Sequence, residues 1–194
     1  MCNLYSNKVA PADIVAALEQ LSIPLRFPEG VPNFEPRDEI RITDRAPILR
    51  WGGEGAAELV QRRWSWPGAG GRPVYNFRSD GREFGSGRCL IVANGFYEFT
   101  TPAEPRADKR KDRWRFSVPG RDWFAIAGLW RSGDAGEAFT MLTTEPGPDV
   151  APYHNRQVAV IAPECWRAWL DGTGAARDIV GPCPAGALRV EKAG

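Results

Sequence analysis

Short apolar runs recur along the chain, separated by glycine, proline and charged residues, and such runs predict β-strands. They are PILRWG (47–52), PVYNFR (73–78), RCLIVA (88–93), GFYEF (95–99), RWRFSV (113–118), WFAIAGLW (123–130), AFTMLTT (138–144) and QVAVIA (157–162), with ALRVEK (187–192) as a candidate last strand. Several runs are apolar at consecutive positions, which is typical of strands that are buried on both faces.

Two segments have the pattern of helices. The first begins at Pro11 and places four apolar side chains on one side, at Ile14, Val15, Leu18 and Leu21. The second is PECWRAWLDG (163–172), which proline begins and glycine ends. Residues 24–47 hold five prolines and alternating charges without a period, so we expect an extended surface segment there. The polar, charged stretch 101–113 predicts a loop between strands.

Eight or more strands and few helices predict an α+β fold that is mainly β. We expect a curled sheet or barrel-like β core with a few peripheral helices. The chain has 194 residues and shows neither an internal repeat nor a linker that would divide it. The sequence therefore predicts one domain over residues 1–194.

Composition narrows the class of protein. Hydrophobic residues make up 43% of the chain and eight residues are Trp, which favours a folded globule over disorder. No apolar run approaches the roughly 20 residues that span a bilayer. The amino-terminal segment lacks a basic region followed by a long apolar stretch, so it does not resemble a secretory signal. We therefore expect a cytoplasmic protein that has no membrane partner.

The cysteine pattern argues against a zinc site, and the net charge argues against a strongly basic protein. The four cysteines, at positions 2, 89, 165 and 183, form no CxxC pair, and one histidine cannot complete a usual zinc site. The sequence therefore predicts free thiols in a reducing compartment, with no metal and no other cofactor. The formal net charge is only +1, so the chain is not basic overall.

The first candidate for chemistry is Cys2, directly behind the initiator methionine. A flexible chain end is a poor place to bury a thiol as a small hydrophobic group. A side chain as small as that of cysteine generally allows the initiator methionine to be removed. Cys2 would then carry a free α-amine as well as its thiol, a pair that no other position in a polypeptide can offer.

Three further segments hold candidate site residues. His154 is the single histidine and precedes a predicted strand, and Arg156 would point to the same side of an extended backbone. A lone histidine is, however, more often structural than catalytic. Glu98 lies among aromatic residues and either faces solvent or faces inward, where desolvation would raise its pKa toward the range of general acid–base catalysis. Asn76 and Arg78 share one face of a predicted strand.

Together these segments resemble the SRAP family, the SOS response-associated peptidase proteins that shield abasic sites in single-stranded DNA. One bacterial branch of that family begins Met-Cys-Asn-Leu-Tyr-Ser, as this chain does. Five other segments match the family in order and over nearly the whole chain: ILRWG (48–52), YNFRSD (75–80), RCLIVANGFYEF (88–99), FAIAGLW (124–130) and TTEPGPDVAPYHNR (143–156).

The resemblance implies a function in the DNA damage response. A protein of this family would bind abasic sites in single-stranded DNA and form a covalent thiazolidine DNA–protein crosslink through Cys2, once Met1 is removed. The crosslink would shield the lesion during repair. The resemblance also implies a monomer of the bacterial cytoplasm that associates with the nucleoid when it is engaged on DNA.

The resemblance also implies site residues, carried over by position. The catalytic set falls on Cys2, Asn76, Glu98 and His154, and the DNA-contacting arginines are Arg78 and Arg156. Glu98 would shuttle protons, His154 would protonate the sugar oxygen, and Asn76 would hold the sugar hydroxyl or the amine. We add Trp51 as a candidate stacking surface beside the lesion, although a Trp next to glycine is more often part of a core.

The chain departs from the family pattern beside these residues. Phe77 and Asp80 stand where the family usually has alanine and glutamate. Val92 replaces a proline, and Gln157 and Val158 replace a Met-Pro pair. Because these positions flank the site residues, they bear on the fit to DNA more than on the chemistry.

Two other functions stay open at this point. A hydrolase or peptidase would use the thiol of Cys2 as nucleophile and its α-amine as base, on amide bonds and without DNA. A non-covalent binder of single-stranded DNA would bind intact DNA and would not depend on Cys2. Within the abasic-site interpretation, the Schiff base could also promote strand cleavage, which is a lyase activity.

Overall fold

The computed structural model describes residues 2–104, 107–134 and 136–193. The helices are α1 (Pro11–Gln20), α2 (Trp166–Leu170) and α3 (Ala176–Ile179), with 3-10 turns at Ala69–Gly71 and Pro163–Cys165. The strands, in chain order, are β1 (Leu4–Asn7), β2 (Leu25–Arg26), β3 (Arg37–Arg41), β4 (Arg45–Trp51), β5 (Ala57–Trp64), β6 (Trp66–Pro67), β7 (Pro73–Val74), β8 (Asn76–Arg78), β9 (Arg88–Ala93), β10 (Gly95–Thr100), β11 (Asp112–Ser117), β12 (Phe124–Arg131), β13 (Ala138–Thr144), β14 (Gln157–Val158), β15 (Val160–Ile161) and β16 (Arg189–Lys192).

Two sheets form the body of the molecule. The central sheet has the order β14-β13-β12-β9-β4-β5-β2, with β8 beside β13 and β15 beside β12. It curls until β13 also pairs in parallel with β5, so that five strands close into a ring. The outer sheet has the order β16-β11-β10-β1-β3 and is antiparallel throughout. The predicted mainly β fold with a barrel-like core and peripheral helices is therefore confirmed.

The central sheet is buried on both faces, as its continuous apolar runs predict. In β9, Cys89 and Ile91 point to one face and Leu90 and Val92 to the other, and all four side chains are fully buried. Successive side chains of a strand alternate between faces. A run without polar positions is therefore stable only where both faces are covered.

A first core cluster fills the space between the two sheets. The outer sheet contributes Tyr5, Phe96 and Phe116 to it, and the central sheet contributes Ile91 and Phe139. The rings of Phe96 and Phe116 stack with centroids 4.9 Å apart. This cluster therefore holds the outer sheet against the ring of strands.

A second core cluster covers the other face of the central sheet. Helix α1 buries Ile14 and Leu18 in it, which confirms the helix and the inward side predicted from its spacing. From α2, Trp169 is fully buried and donates a hydrogen bond from Nε1 to the carbonyl of Cys89, at 2.9 Å. The predicted second helix is present but short, as a 3-10 turn followed by α2.

Several elements were not predicted. Strand β5 carries Arg62, whose guanidinium is buried and forms ion pairs with Glu29 and Glu137. An arginine is stable inside a sheet only with such partners, and neither glutamate is near it in sequence. Residues 24–47, predicted as an extended surface segment, contain the strands β2 and β3 and the start of β4.

Two loop regions bear on the remaining predictions. The described residues between 101 and 111 contain no strand, as predicted for this polar stretch, and β11 begins at Asp112. Pro105 and Arg106 of that stretch lie outside the described residues. The run PVYNFR divides at Tyr75, because β7 pairs with β6 whereas β8 pairs with β13. No helix of the described chain is long and apolar enough to cross a membrane.

Replacing Ile91 with alanine should destabilise the fold strongly. Ile91 is fully buried and lies opposite Ile48 on one side and Ile126 on the other. A cavity at such a position costs about 2–5 kcal/mol in the free energy of unfolding. Urea unfolding of wild type and Ile91→Ala measures the loss.

The matched control is Val31→Ala, because Val31 is 69% exposed. That change should alter the free energy of unfolding by less than about 0.5 kcal/mol. A similarly small effect of Ile91→Ala would contradict the assignment of this position to the core.

Candidate active site

Cys2 is buried at the edge of the first core cluster. It precedes β1, which pairs with β10 on one side and β3 on the other, and only 1% of its surface is exposed. The thiol donates a hydrogen bond to the carbonyl of Leu4, with Sγ 3.2 Å from the oxygen. The start of the chain is thus tied into a sheet, and the expectation of a loose chain end does not apply to Cys2.

Asn76 holds the backbone of Cys2. Its Nδ2 donates to the Cys2 carbonyl at 2.8 Å. Asn76 begins β8 and pairs with Met141 of β13, so the contact joins the start of the chain to the central sheet. The Oδ1 atom of Asn76 is buried and has no hydrogen-bond partner among the described residues. This amide oxygen is therefore an acceptor beside Cys2.

Glu98 faces the first core cluster, not solvent. It lies in β10 two residues after the buried Phe96, and across the sheet it pairs with Trp114 of β11. Only 1% of the residue is exposed, and burial raises the pKa of its carboxyl group to about 7. At neutral pH both the acid and the carboxylate are therefore populated, which suits a group that gives and takes protons.

Glu98 acts electrostatically on the Cys2 thiol. Burial raises the pKa of the Cys2 thiol to about 12, and the charge of Glu98 adds to that increase. Hydrogen bonds with the backbone of Leu4 and Tyr97 act in the opposite direction. The thiol thus lies beside Tyr97, the residue before Glu98, and is protonated at neutral pH.

His154 lies in the turn that follows β13. Its Nδ1 is 3.0 Å from the backbone nitrogen of Arg156, which donates to it. Burial lowers the pKa of the imidazole, so the neutral ring is favoured at neutral pH. The neighbouring Tyr153 packs its ring on Trp114 with centroids 4.7 Å apart. This contact brings the turn against the strand beside Glu98.

The two predicted DNA-contacting arginines have different environments. Arg78 is exposed at the end of β8, two residues after Asn76. The Arg156 guanidinium is buried, and its Nη2 donates to the carboxylate of Asp80 at 2.6 Å and to the carbonyl of Thr143 at 2.7 Å. Arg78 therefore presents its charge to solvent, whereas Arg156 is engaged inside the protein.

The structure does not bring Trp51 to Cys2. The Trp51 ring packs against the second core cluster, whereas Cys2 belongs to the first, on the opposite face of the central sheet. The Arg167 guanidinium of α2 lies 5.9 Å from the centre of the Trp51 ring. This position favours the core interpretation of Trp51 over a stacking surface beside the lesion.

Two aromatic residues beside Glu98 were missed by the sequence analysis. Trp114 and Tyr153 are partly buried and pack against the first core cluster. Nothing in the sequence pairs these residues, which are 39 positions apart. The alternation in RWRFSV does place Trp114 and Phe116 on one face, but the identity of that face depends on the strands beside it.

The described residues contain no group of three or more His, Cys, Asp or Glu side chains that could hold a metal ion. A cavity of about 400 Å³ is lined by Trp123, Cys165, Trp166 and Cys183, among others, and none of the predicted site residues lines it. The candidate site around Cys2 is therefore separate from this cavity.

A family model described as SOS response associated peptidase (SRAP) matches residues 1–193. The chain belongs to the SRAP family. Among curated proteins it is 26% identical, over 204 residues, to the abasic site processing protein YoaM of Bacillus subtilis (strain 168), and the alignment covers 93% of this chain and 83% of YoaM.

Solved structures show the same fold. A protein from Bacteroides thetaiotaomicron superposes with a TM-score of 0.75 at 16% identity, over 98% of this chain and 91% of that protein. A protein from Bordetella bronchiseptica superposes with a TM-score of 0.71 at 20% identity, and the alignment covers both chains completely. At these identities the likeness concerns the fold alone, which is the SRAP fold.

The raised pKa of Glu98 predicts a pH-dependent stability. Its pKa is about 7 in the folded protein and about 4.5 for an ordinary glutamate. Between these values the folded state binds more protons than the unfolded state, so stability falls as pH rises. Relative to Glu98→Gln, wild type should lose on the order of 3 kcal/mol between pH 4.5 and 7.

Urea unfolding of both proteins across this pH range measures the difference in free energy. The denaturant dependence should stay constant, which shows that the same two-state transition is compared. A difference that does not change with pH would mean that the carboxyl group of Glu98 titrates normally.

Proposed function

We propose that this protein captures abasic sites in single-stranded DNA as a covalent thiazolidine crosslink on Cys2. The observation that carries the proposal is the position of Cys2, held at its carbonyl by Asn76 and within the electrostatic influence of Glu98. Membership of the SRAP family and the likeness to a protein named for abasic site processing support it.

The first step uses the α-amine that removal of Met1 exposes. An α-amine has a pKa of about 7.7–8.0, so a useful fraction is neutral at cytoplasmic pH. The neutral amine adds to the C1′ aldehyde of the ring-opened abasic sugar, and the resulting carbinolamine loses water to form an imine. The buried Oδ1 of Asn76, which has no partner among the described residues, would accept a hydrogen bond from this amine.

The second step uses the thiol of the same residue. Sulfur adds to the imine carbon, a C–S bond forms, and the C=N bond becomes a single bond. The thiol proton ends on the nitrogen, which completes a five-membered thiazolidine. Because the thiol is protonated at rest, it needs a base, and the Glu98 carboxylate with its pKa of about 7 meets that need. Amine and thiol share one residue, so closure is intramolecular and fast.

His154 and Arg78 complete the proposal. Opening of the sugar ring requires a proton on the ring oxygen, and a histidine with a lowered pKa releases its proton readily once it carries one. Arg78 is exposed near Asn76 and would bind a phosphate that flanks the lesion. In this proposal the buried residues Cys2 and Glu98 carry out the chemistry, and the exposed Arg78 binds the DNA backbone.

The thiol environment disfavours an amide hydrolase. A cysteine nucleophile acts as the thiolate, and catalytic cysteines have lowered pKa values. Burial does the opposite for Cys2. A thiol that stays protonated until a neighbouring base takes its proton is better suited to trapping an imine, which is a strong electrophile.

Crosslinking should require both functional groups of Cys2. Wild type mixed with single-stranded DNA that carries one abasic site should give a heat-stable shifted band on a denaturing gel, and intact DNA should give none. Cys2→Ala should give no such band. Cys2→Ser keeps the amine but closes a less stable ring, so its band should be strong only after borohydride reduction of the imine.

Cys165→Ala is the matched control, because Cys165 is a free cysteine outside the proposed site. It should crosslink as wild type does. A wild-type protein that lacks Met1 by mass spectrometry and forms no band would overturn the proposal. Shortened DNA strands without a shifted band would indicate a lyase in its place.

Replacing Arg78 with alanine should weaken DNA binding in a salt-dependent way. Loss of one phosphate contact on a single strand reduces the slope of log K against log salt by about 0.7. Binding of a stable abasic analogue, measured by fluorescence anisotropy across a salt series, gives this slope. Arg167→Ala is the control, because Arg167 lies on α2 beside the second core cluster. Equal slopes for wild type and Arg78→Ala would remove Arg78 from the DNA interface.

A further inference from the structure

Two segments of the candidate site lie on either side of β13, and we call them the β8 arm (residues 76–80) and the β14 arm (residues 156–158). At Thr143, β13 pairs with Arg78 of β8 on one side and with Val158 of β14 on the other. The β8 arm carries Asn76, which holds Cys2. The β14 arm is preceded by the turn that carries His154. The separation of Asn76 and His154 therefore depends on how both arms are held to β13.

Arg156 bridges the two arms across β13. Its Nη2 donates a hydrogen bond to the carboxylate of Asp80, at the end of the β8 arm, at 2.6 Å. The same nitrogen donates to the carbonyl and the hydroxyl of Thr143 in β13, at 2.7 and 3.3 Å. The same carbonyl accepts hydrogen bonds from the backbone nitrogen and the hydroxyl of Ser79, both at 2.9 Å. The Thr143 carbonyl thus accepts hydrogen bonds from residues of both arms.

The same residue also positions the histidine. The backbone N–H of Arg156 donates to Nδ1 of His154 at 3.0 Å. Arg156 therefore fixes the imidazole through its backbone and the β8 arm through its side chain. Its side chain is only 10% exposed, whereas that of Asp80 is 43% exposed. The hydrogen bond from Arg156 lowers the pKa of Asp80, so the carboxylate stays charged at neutral pH and the ion pair persists.

We propose that Asp80 and Arg156 form a clamp that sets the distance between Asn76 and His154 and so positions Cys2 for crosslinking. Both are positioning residues in this assignment, which rests on the proposed function. It differs from the phosphate-contact role that the family resemblance implies for Arg156. A guanidinium that already bonds a carboxylate and a carbonyl inside the protein is poorly placed to bind DNA through the same nitrogen.

The two roles predict different effects of Asp80→Asn. If Arg156 clamps the arms, loss of the carboxylate loosens them and slows crosslinking by about 10- to 100-fold at saturating DNA, because small misplacements of reacting groups cost rate. Binding of a stable abasic analogue should tighten slightly under either role, because Asp80 also interacts electrostatically with Arg78, so the rate is the readout that separates the two. If Arg156 instead binds phosphate, loss of Asp80 frees its guanidinium and tightens binding, with no loss of rate.

Rescue and coupling separate positioning from a general loss of structure. Asp80→Glu keeps the carboxylate and should restore most of the rate. The double variant Asp80→Asn/Arg156→Gln should be no slower than the slower single variant, because both changes break the same contact. Arg156→Gln should leave the salt slope of binding unchanged, whereas loss of a phosphate contact lowers it by about 0.7.

The experiment measures crosslinking rates by quenched-flow gels at saturating abasic DNA, and affinities by anisotropy. Glu83→Gln is the charge-matched control, since Glu83 lies in the same segment but bonds to the first turn of α3. It should crosslink as wild type does. A normal rate for Asp80→Asn, or a lowered salt slope for Arg156→Gln, would overturn the clamp. Absence of crosslinking by wild type would instead overturn the proposed function.

Discussion

Strand β1 pairs with β10 on one side and β3 on the other, and this pairing buries the first residues of the chain. Chain ends are usually mobile because nothing repays the entropy of ordering them. Here the ladder hydrogen bonds and the burial of Tyr5 in the first core cluster repay it. The hydrogen bond from Asn76 then fixes Cys2 itself. The other candidate site residues can keep fixed distances to Cys2 only because Cys2 itself is held in one position.

Burial also sets the chemistry of the site. Desolvation raises the pKa of both the Cys2 thiol and the Glu98 carboxyl group, because each loses water in its charged form. The result is a protonated thiol beside a carboxyl group that titrates near neutral pH. At neutral pH the thiol is therefore held almost entirely in its protonated form. In the proposed mechanism, Glu98 takes the thiol proton once an imine has formed on the α-nitrogen of Cys2.

The closed ring of strands explains how distant segments meet. Asn76 and His154 belong to segments that flank β13, while Glu98 comes from the outer sheet. The first core cluster joins the two sheets, and the Asp80–Arg156 ion pair joins the two arms across β13. The position of Cys2 relative to the candidate site residues is therefore set by the contact between the two sheets and not by any single loop.

Much of this protein is determined by local sequence. Continuous apolar runs such as RCLIVA require cover on both faces and so predict the central strands, and the spacing of Ile14 and Leu18 predicts α1 and its buried side. The motifs around Cys2, Asn76, Glu98 and His154 identify the family. These features depend on the periodicity and the order of residues that are close together in the sequence, so they can be predicted without the fold.

Other features are decided only by tertiary contacts. Strand β5 is stable because Arg62 finds Glu29 and Glu137, and Glu98 faces inward because Trp114 and Phe116 share its face. Trp51 and Arg156 have roles that depend on which face or partner the fold assigns to them. A strand's alternation divides its side chains between two faces, but the choice of face and the partner of a buried charge come from residues far away in the sequence.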